Sequence, residues 1–149
     1  MKLLFVCTGN VCRSLMGERL ARHLGAQRGL DVETRSCGIG AEGYFTVPPE
    51  IWRALTEAGI DQSPSHRPQL VSRELLAWAD SVLVMTARQQ DFLRDAYPEY
   101  RGKIALLREK AGLSGDVADP IGKPWADYQA CRVIISEALE RLLPATPAS

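Results

Sequence analysis

Eight consecutive residues, Cys7-Thr8-Gly9-Asn10-Val11-Cys12-Arg13-Ser14, place an arginine six positions after a cysteine across a short loop. Phosphoryl transfer to sulfur needs that combination. Successive backbone N–H groups in such a loop can curl around three phosphate oxygens, and a helix starting at its end adds positive potential. The same field favours a thiolate at Cys7, the form that attacks phosphorus. Arg13 supplies planar, paired donors to two oxygens, which the point charge of a lysine does not. Gly9 permits close backbone approach, and Ser14 is placed to donate a hydrogen bond to the sulfur, steadying it as a leaving group. The loop is not a Walker A motif, because it lacks the second glycine and the Lys-Ser/Thr pair.

Positioning such a loop requires a strand before it and a helix after it, and the flanks read that way. Leu3-Leu4-Phe5-Val6 is a continuous apolar run, suited to a strand buried on both faces of a parallel sheet. From Ser14 to His23, Leu15, Leu20, Ala21 and Leu24 share one side and Glu18, Arg19 and Arg22 the other, predicting an amphipathic helix that stops near Gly25 or Gly29. Further strands are predicted at Val32 to Cys37, Ser81 to Met85 and Lys103 to Leu107. Helices are expected from Pro48-Pro49 to Ala58, after the cap Ser72 through Trp78, after the cap Thr86 over Arg88 to Asp95, and from Trp125 to Leu143. Alternating strands and helices imply a parallel sheet covered on both faces, with ligands bound beyond the carboxyl ends of its strands. Gly38-Ile39-Gly40-Ala41-Glu42-Gly43 matches G-x-G-x-x-G, but the next helix opens too late to aim at a pyrophosphate, so the segment reads as a mobile surface loop.

Composition narrows the setting. The chain has 149 residues, the size of one domain, and 46% of them are apolar, enough for a core without disulfides or metals. The reading is one domain over 1–149 with a frayed tail from about 144. Eighteen basic residues balance eighteen acidic ones, so nothing marks a nucleic-acid or membrane partner. No apolar run approaches a membrane span or signal peptide, and a cytoplasmic location is expected. Four cysteines fit a reducing compartment, and two histidines, His23 and His66, lack neighbours at zinc-ligand spacing, so no metal or cofactor is expected.

The octet resembles the C-x-G-N-x-C-R-S signature of the low-molecular-weight protein-tyrosine-phosphatase family. The likeness continues through Arg35-Ser36-Cys37-Gly38, Ser65-His66-Arg67-Pro68, Ala79-Asp80, Met85-Thr86 and Asp119-Pro120. It implies an α/β three-layer sandwich with a four-stranded parallel sheet and the phosphate-binding loop, Thr8 to Ser14, after its first strand. It also implies a two-step, metal-independent reaction on a phosphorylated protein. Cys7 attacks phosphorus in line while Asp119 protonates the leaving atom; Asp119 then activates water to hydrolyse the cysteinyl phosphate, releasing inorganic phosphate. Asn10 would hold the loop's shape, and Cys12 would form a reversible disulfide with the nucleophile under oxidation. Asp119 precedes a proline and competes with a plain turn role; its neighbour Asp116 reads as structural.

The substrate is the open choice. Tyrosine-specific members typically follow Asp-Pro with an aromatic residue, where this chain has Ile121; Tyr44 or Phe45 would then supply the stacking surface. The run Gly115-Asp116-Val117-Ala118-Asp119-Pro120, with Gly122 after it, resembles the bacterial protein-arginine phosphatases, but Val11 stands where those usually carry threonine. The reading is therefore hydrolysis of phosphotyrosine, with phosphoarginine as the alternative. An arsenate reductase needs clustered relay cysteines, and none lies between Cys37 and Cys131. A non-catalytic phosphate-binding module has no use for Cys7, Arg13 and Asp119 together. Trp52, Trp78 and Trp125 fall on helices, Trp125 near enough to the Asp119 loop to edge the pocket, and Cys37 and Cys131 read as core.

Overall fold

A computed structural model describes residues 1–60 and 65–145. Four strands, β1 (Lys2–Cys7), β2 (Glu33–Gly38), β3 (Ser81–Val84) and β4 (Ile104–Leu106), form one all-parallel sheet in the order β2-β1-β3-β4. Among the described residues six α-helices accompany them: α1 (Arg13–Gln27), α2 (Pro49–Glu57), α3 (Arg73–Trp78), α4 (Ala87–Ala96), α5 (Leu107–Lys110) and α6 (Trp125–Leu142). The chain runs from β1 to β2 on one side and then returns to β3 on the other. The order thus reverses between β1 and β3, where open parallel sheets leave a crevice at their carboxyl ends. Cys7, the last residue of β1, lies at that reversal.

Alternation along the strands divides the core into two layers. Leu3, Phe5 and Leu83 face α1, α2 and α6 with Leu15, Met16, Ile51, Leu55, Ile135 and Leu139. Leu4, Val6, Val82 and Val84 face α3 and α4 with Leu75, Leu76 and Leu93. The helices begin where local chemistry predicts. Ser72 accepts from the Leu75 N–H, Thr86 and Gln89 form a reciprocal capping box, and Pro49 opens α2.

Three differences from the sequence reading have physical causes. Gly25 does not end α1, which continues to Gln27 because a bare Cα lets the helix press onto Val32; Gly29, at φ +67°, turns the chain afterwards. Glu18 is not on a solvated face. It is buried, accepting from Ser36 and paired with Arg19 and Arg22. A 3-10 turn (Pro98–Lys103) and the short α5 flank β4, both too brief for helical periodicity to register. Of the tail expected from 144, residues 146–149 lie outside the described residues.

Candidate active site

The loop after β1 is shaped around Asn10, which takes φ +58°, a conformation that asparagine tolerates better than most residues. Its side-chain oxygen accepts from the Gln69 N–H at 3.0 Å, which orients the amide. Both amide hydrogens then go to hydroxyls, Ser14 Oγ at 2.9 Å and Ser36 Oγ at 3.0 Å. The Ser36 hydroxyl in turn donates to Glu18 Oε1 at 3.0 Å. Ser14 accepts from Asn10 and lies 2.9 Å from Cys7 Sγ; toward the thiolate form of Cys7, which has no hydrogen to give, its hydroxyl donates. The backbone carbonyl of Asn10 is held by His66 Nε2 at 2.7 Å. Burial draws the His66 pKa below its ordinary value, against the pull of that bond and of Glu18.

The first half of the G-x-G-x-x-G segment, Gly38 to Gly40, is not a free surface loop, while Glu42 and Gly43 are exposed. The Ile39 and Gly40 N–H groups bond to the carbonyls of Cys7 and Thr8, and a Cβ on Gly38 would stand 2.4 Å from the Thr8 carbonyl oxygen. Glycine is required there because β2 presses its end against the phosphate-type loop.

Cys7, Thr8, Gly9, Val11, Cys12 and Arg13 line one small cavity together with Asp119 and Ile121. Asn10 and Ser14 lie fully buried beneath it. Arg13 is buried and fixed by a 2.9 Å bond from Nη1 to the Val117 carbonyl; its Nε has no hydrogen-bond partner among the described residues. Val117 is itself tied to Met85 at the end of β3. Asp119, half exposed at 50%, points a carboxylate oxygen toward Arg13 at 3.9 Å and accepts from the Ile121 N–H with the other. Asp116 instead caps the start of α4 through the Ala87 N–H.

The proposed rim residues are spread apart. Ile121, 46% exposed, lines the cavity. Phe45 lies against the loop, its ring carbons 3.8 and 3.9 Å from where a Cβ on Gly9 would stand, and Tyr44, 77% exposed, packs edge-on against it. Trp125 does not line the cavity; it stacks on Tyr128 beneath Arg53. Cys12 is buried beside Cys131, whose thiol hydrogen bond, with burial, pushes the Cys12 pKa up. All four cysteines are free, and no cluster of metal-ligating side chains occurs among the described residues. Sequence reasoning assigned no task to Ser36, Gln69 or Gln89; a backbone donor such as that of Gln69 leaves no trace in residue type.

The low molecular weight phosphotyrosine protein phosphatase model matches residues 2–148. A protein-arginine-phosphatase of Bacillus subtilis is 36% identical over 143 residues, covering 95% of this chain and 94% of the relative. A probable low molecular weight protein-tyrosine-phosphatase of Ralstonia nicotianae is 31% identical, covering 95% and 93%. The crystal structure of a low molecular weight protein tyrosine phosphatase from T. tengcongensis superposes with a TM-score of 0.90 at 38% identity, covering 95% and 97%. With likeness running from end to end in sequence and in fold, the chain belongs to the low molecular weight phosphotyrosine protein phosphatase family.

Proposed function

We propose that this phosphatase hydrolyses phosphotyrosine on proteins through a cysteinyl phosphate on Cys7. The observation that carries the chemistry is the directed chain Asn10 to Ser14 to Cys7, which aims a donor at the sulfur while Arg13 and Asp119 face the same cavity. Cys7 attacks phosphorus, the loop N–H groups and Arg13 neutralise the equatorial oxygens, and Asp119 protonates the leaving oxygen. Asp119 then takes a proton from the water that releases phosphate, and Ser14 steadies the departing sulfur. Val11 and Ile121 line the cavity and Phe45 lies against the loop at Gly9, apolar surfaces that suit an aromatic ring better than a guanidinium that needs polar partners.

Phosphoarginine is the second reading. It is favoured by the half-exposed Asp119 carboxylate at the rim, able to pair with a guanidinium, and by relatives such as the B. subtilis protein-arginine-phosphatase. Purified protein in EDTA is expected to hydrolyse p-nitrophenyl phosphate at mildly acidic pH, and Cys7→Ser to abolish it; turnover surviving that substitution overturns the mechanism. Rates on phosphotyrosine and phosphoarginine peptides then separate the readings. Val11→Thr is expected to move the ratio towards phosphoarginine.

A further inference from the structure

Gln89, in the first turn of α4, is 3% exposed and has no task in the reaction above. Its Oε1 accepts from two backbone donors, the Met85 N–H at 3.0 Å and the Thr86 N–H at 3.1 Å. An N–H can only donate, so the amide must present its oxygen to them. Its nitrogen is thereby directed at Thr8 Oγ1, 3.2 Å away, and donates to it. The Thr8 hydroxyl receives that bond on a lone pair and keeps its own proton to give elsewhere, with no acceptor for it among the described residues. Thr8 is exposed and lines the cavity that holds Cys7, Arg13 and Asp119.

We propose that Thr8 is a specificity-determining residue and Gln89 its positioning residue: held in this polarity, the Thr8 hydroxyl donates to the bridging oxygen of a phosphate monoester. A bridging ester oxygen has two lone pairs, one for the proton from Asp119 and one for Thr8. The bridging nitrogen of a phosphoramidate such as phosphoarginine carries a hydrogen and a delocalised lone pair, so it offers this hydroxyl no acceptor. The pair therefore selects oxygen esters over phosphoramidates, by donor direction and not by shape. The inference rests on the phosphatase reading above.

The test is the ratio of kcat/KM on phosphotyrosine and phosphoarginine peptides of one sequence. Thr8→Val, which keeps the shape, is expected to lower the ratio about 3- to 10-fold, the effect of one hydrogen bond, and Thr8→Ser to retain it. Gln89→Glu is expected to fold, since Glu is favoured at this capping-box position. Its carboxylate would accept from Met85, Thr86 and Thr8 alike, turning the hydroxyl proton away from substrate, so the ratio should fall at least as far as in Thr8→Val. Combined with Thr8→Val it should fall no further, which separates polarity from added charge. An unchanged ratio in Thr8→Val, or a Gln89→Glu shift of equal size with and without the Thr8 hydroxyl, overturns the assignment while phosphatase activity stands. Failure of the unaltered protein to hydrolyse p-nitrophenyl phosphate in EDTA would instead overturn the function beneath it.

Discussion

At the scale of single residues, the site divides between groups that face the cavity and groups that aim them. Cys7, Arg13 and Asp119 face it, while Asn10, Ser14 and Ser36 lie beneath and set which way each proton points. Arg13 is held by the backbone at Val117, whereas Asp119 is tied by a local turn bond from the Ile121 N–H and a loose 3.9 Å contact with Arg13, with half of its side chain exposed toward a leaving group. Asp119→Ala is therefore expected to lower kcat on p-nitrophenyl phosphate by roughly 100-fold or more, the range of general acid–base catalysis, with a smaller change in KM. Steady-state kinetics decide it, and a loss confined to KM would make Asp119 a binding residue. The octet singles out Cys7 and Arg13 because loop geometry ties the tasks proposed for them to adjacent positions. Asp119 needed the family likeness, since Asp-Pro alone also describes a turn.

At the scale of elements, two glycines show where backbones must meet. A Cβ on Gly17 of α1 would stand 2.6 Å from the ring of Phe5, which is fully buried and has nowhere to move. Gly17→Ala is expected to destabilise the fold by about 1–3 kcal/mol, read by urea unfolding, with kcat/KM little changed. Gly38→Ala acts differently. Its Cβ would meet the Thr8 carbonyl at 2.4 Å and the Asn10 nitrogen at 3.0 Å, both backbone atoms of the phosphate-type loop. This variant should lose most of its kcat/KM, and full activity would refute the contact's importance. Caps were readable ahead of the structure, because Ser72 and Thr86 act on residues three positions away. The burial of Glu18 was not, because its partner Ser36 lies on β2 and nothing in helical periodicity reports a strand passing alongside.

Across the whole molecule, segments distant in sequence converge on the reversal between β1 and β3. The Gln69 N–H and His66 brace Asn10 from beyond α2, Gln89 reaches Thr8 from α4, and Val117 anchors Arg13 from the last long loop. This coupling makes stability depend on pH. The lowered His66 value means that the unfolded chain binds a proton more readily than the folded one, so stability is full above the ordinary value of 6.5 and falls as pH drops below it. Urea midpoints are expected to decline on that side, and His66→Gln to flatten the part of the decline nearest pH 6.5. An identical pH dependence in the variant would contradict the assignment.

The sequence by itself determined the α/β order of elements, the strand-end position of Cys7, the Cys7-to-Arg13 loop and the helix starts, because each follows from residues close together in the chain. Tertiary structure alone decided the placement of Asn10 and Ser14 against Cys7, the bracing role of Gly38 to Gly40 and the facing of Asp119 and Arg13. Hydrogen-bond direction depends on every neighbour at once, and those neighbours arrive from strands and loops that only folding brings together.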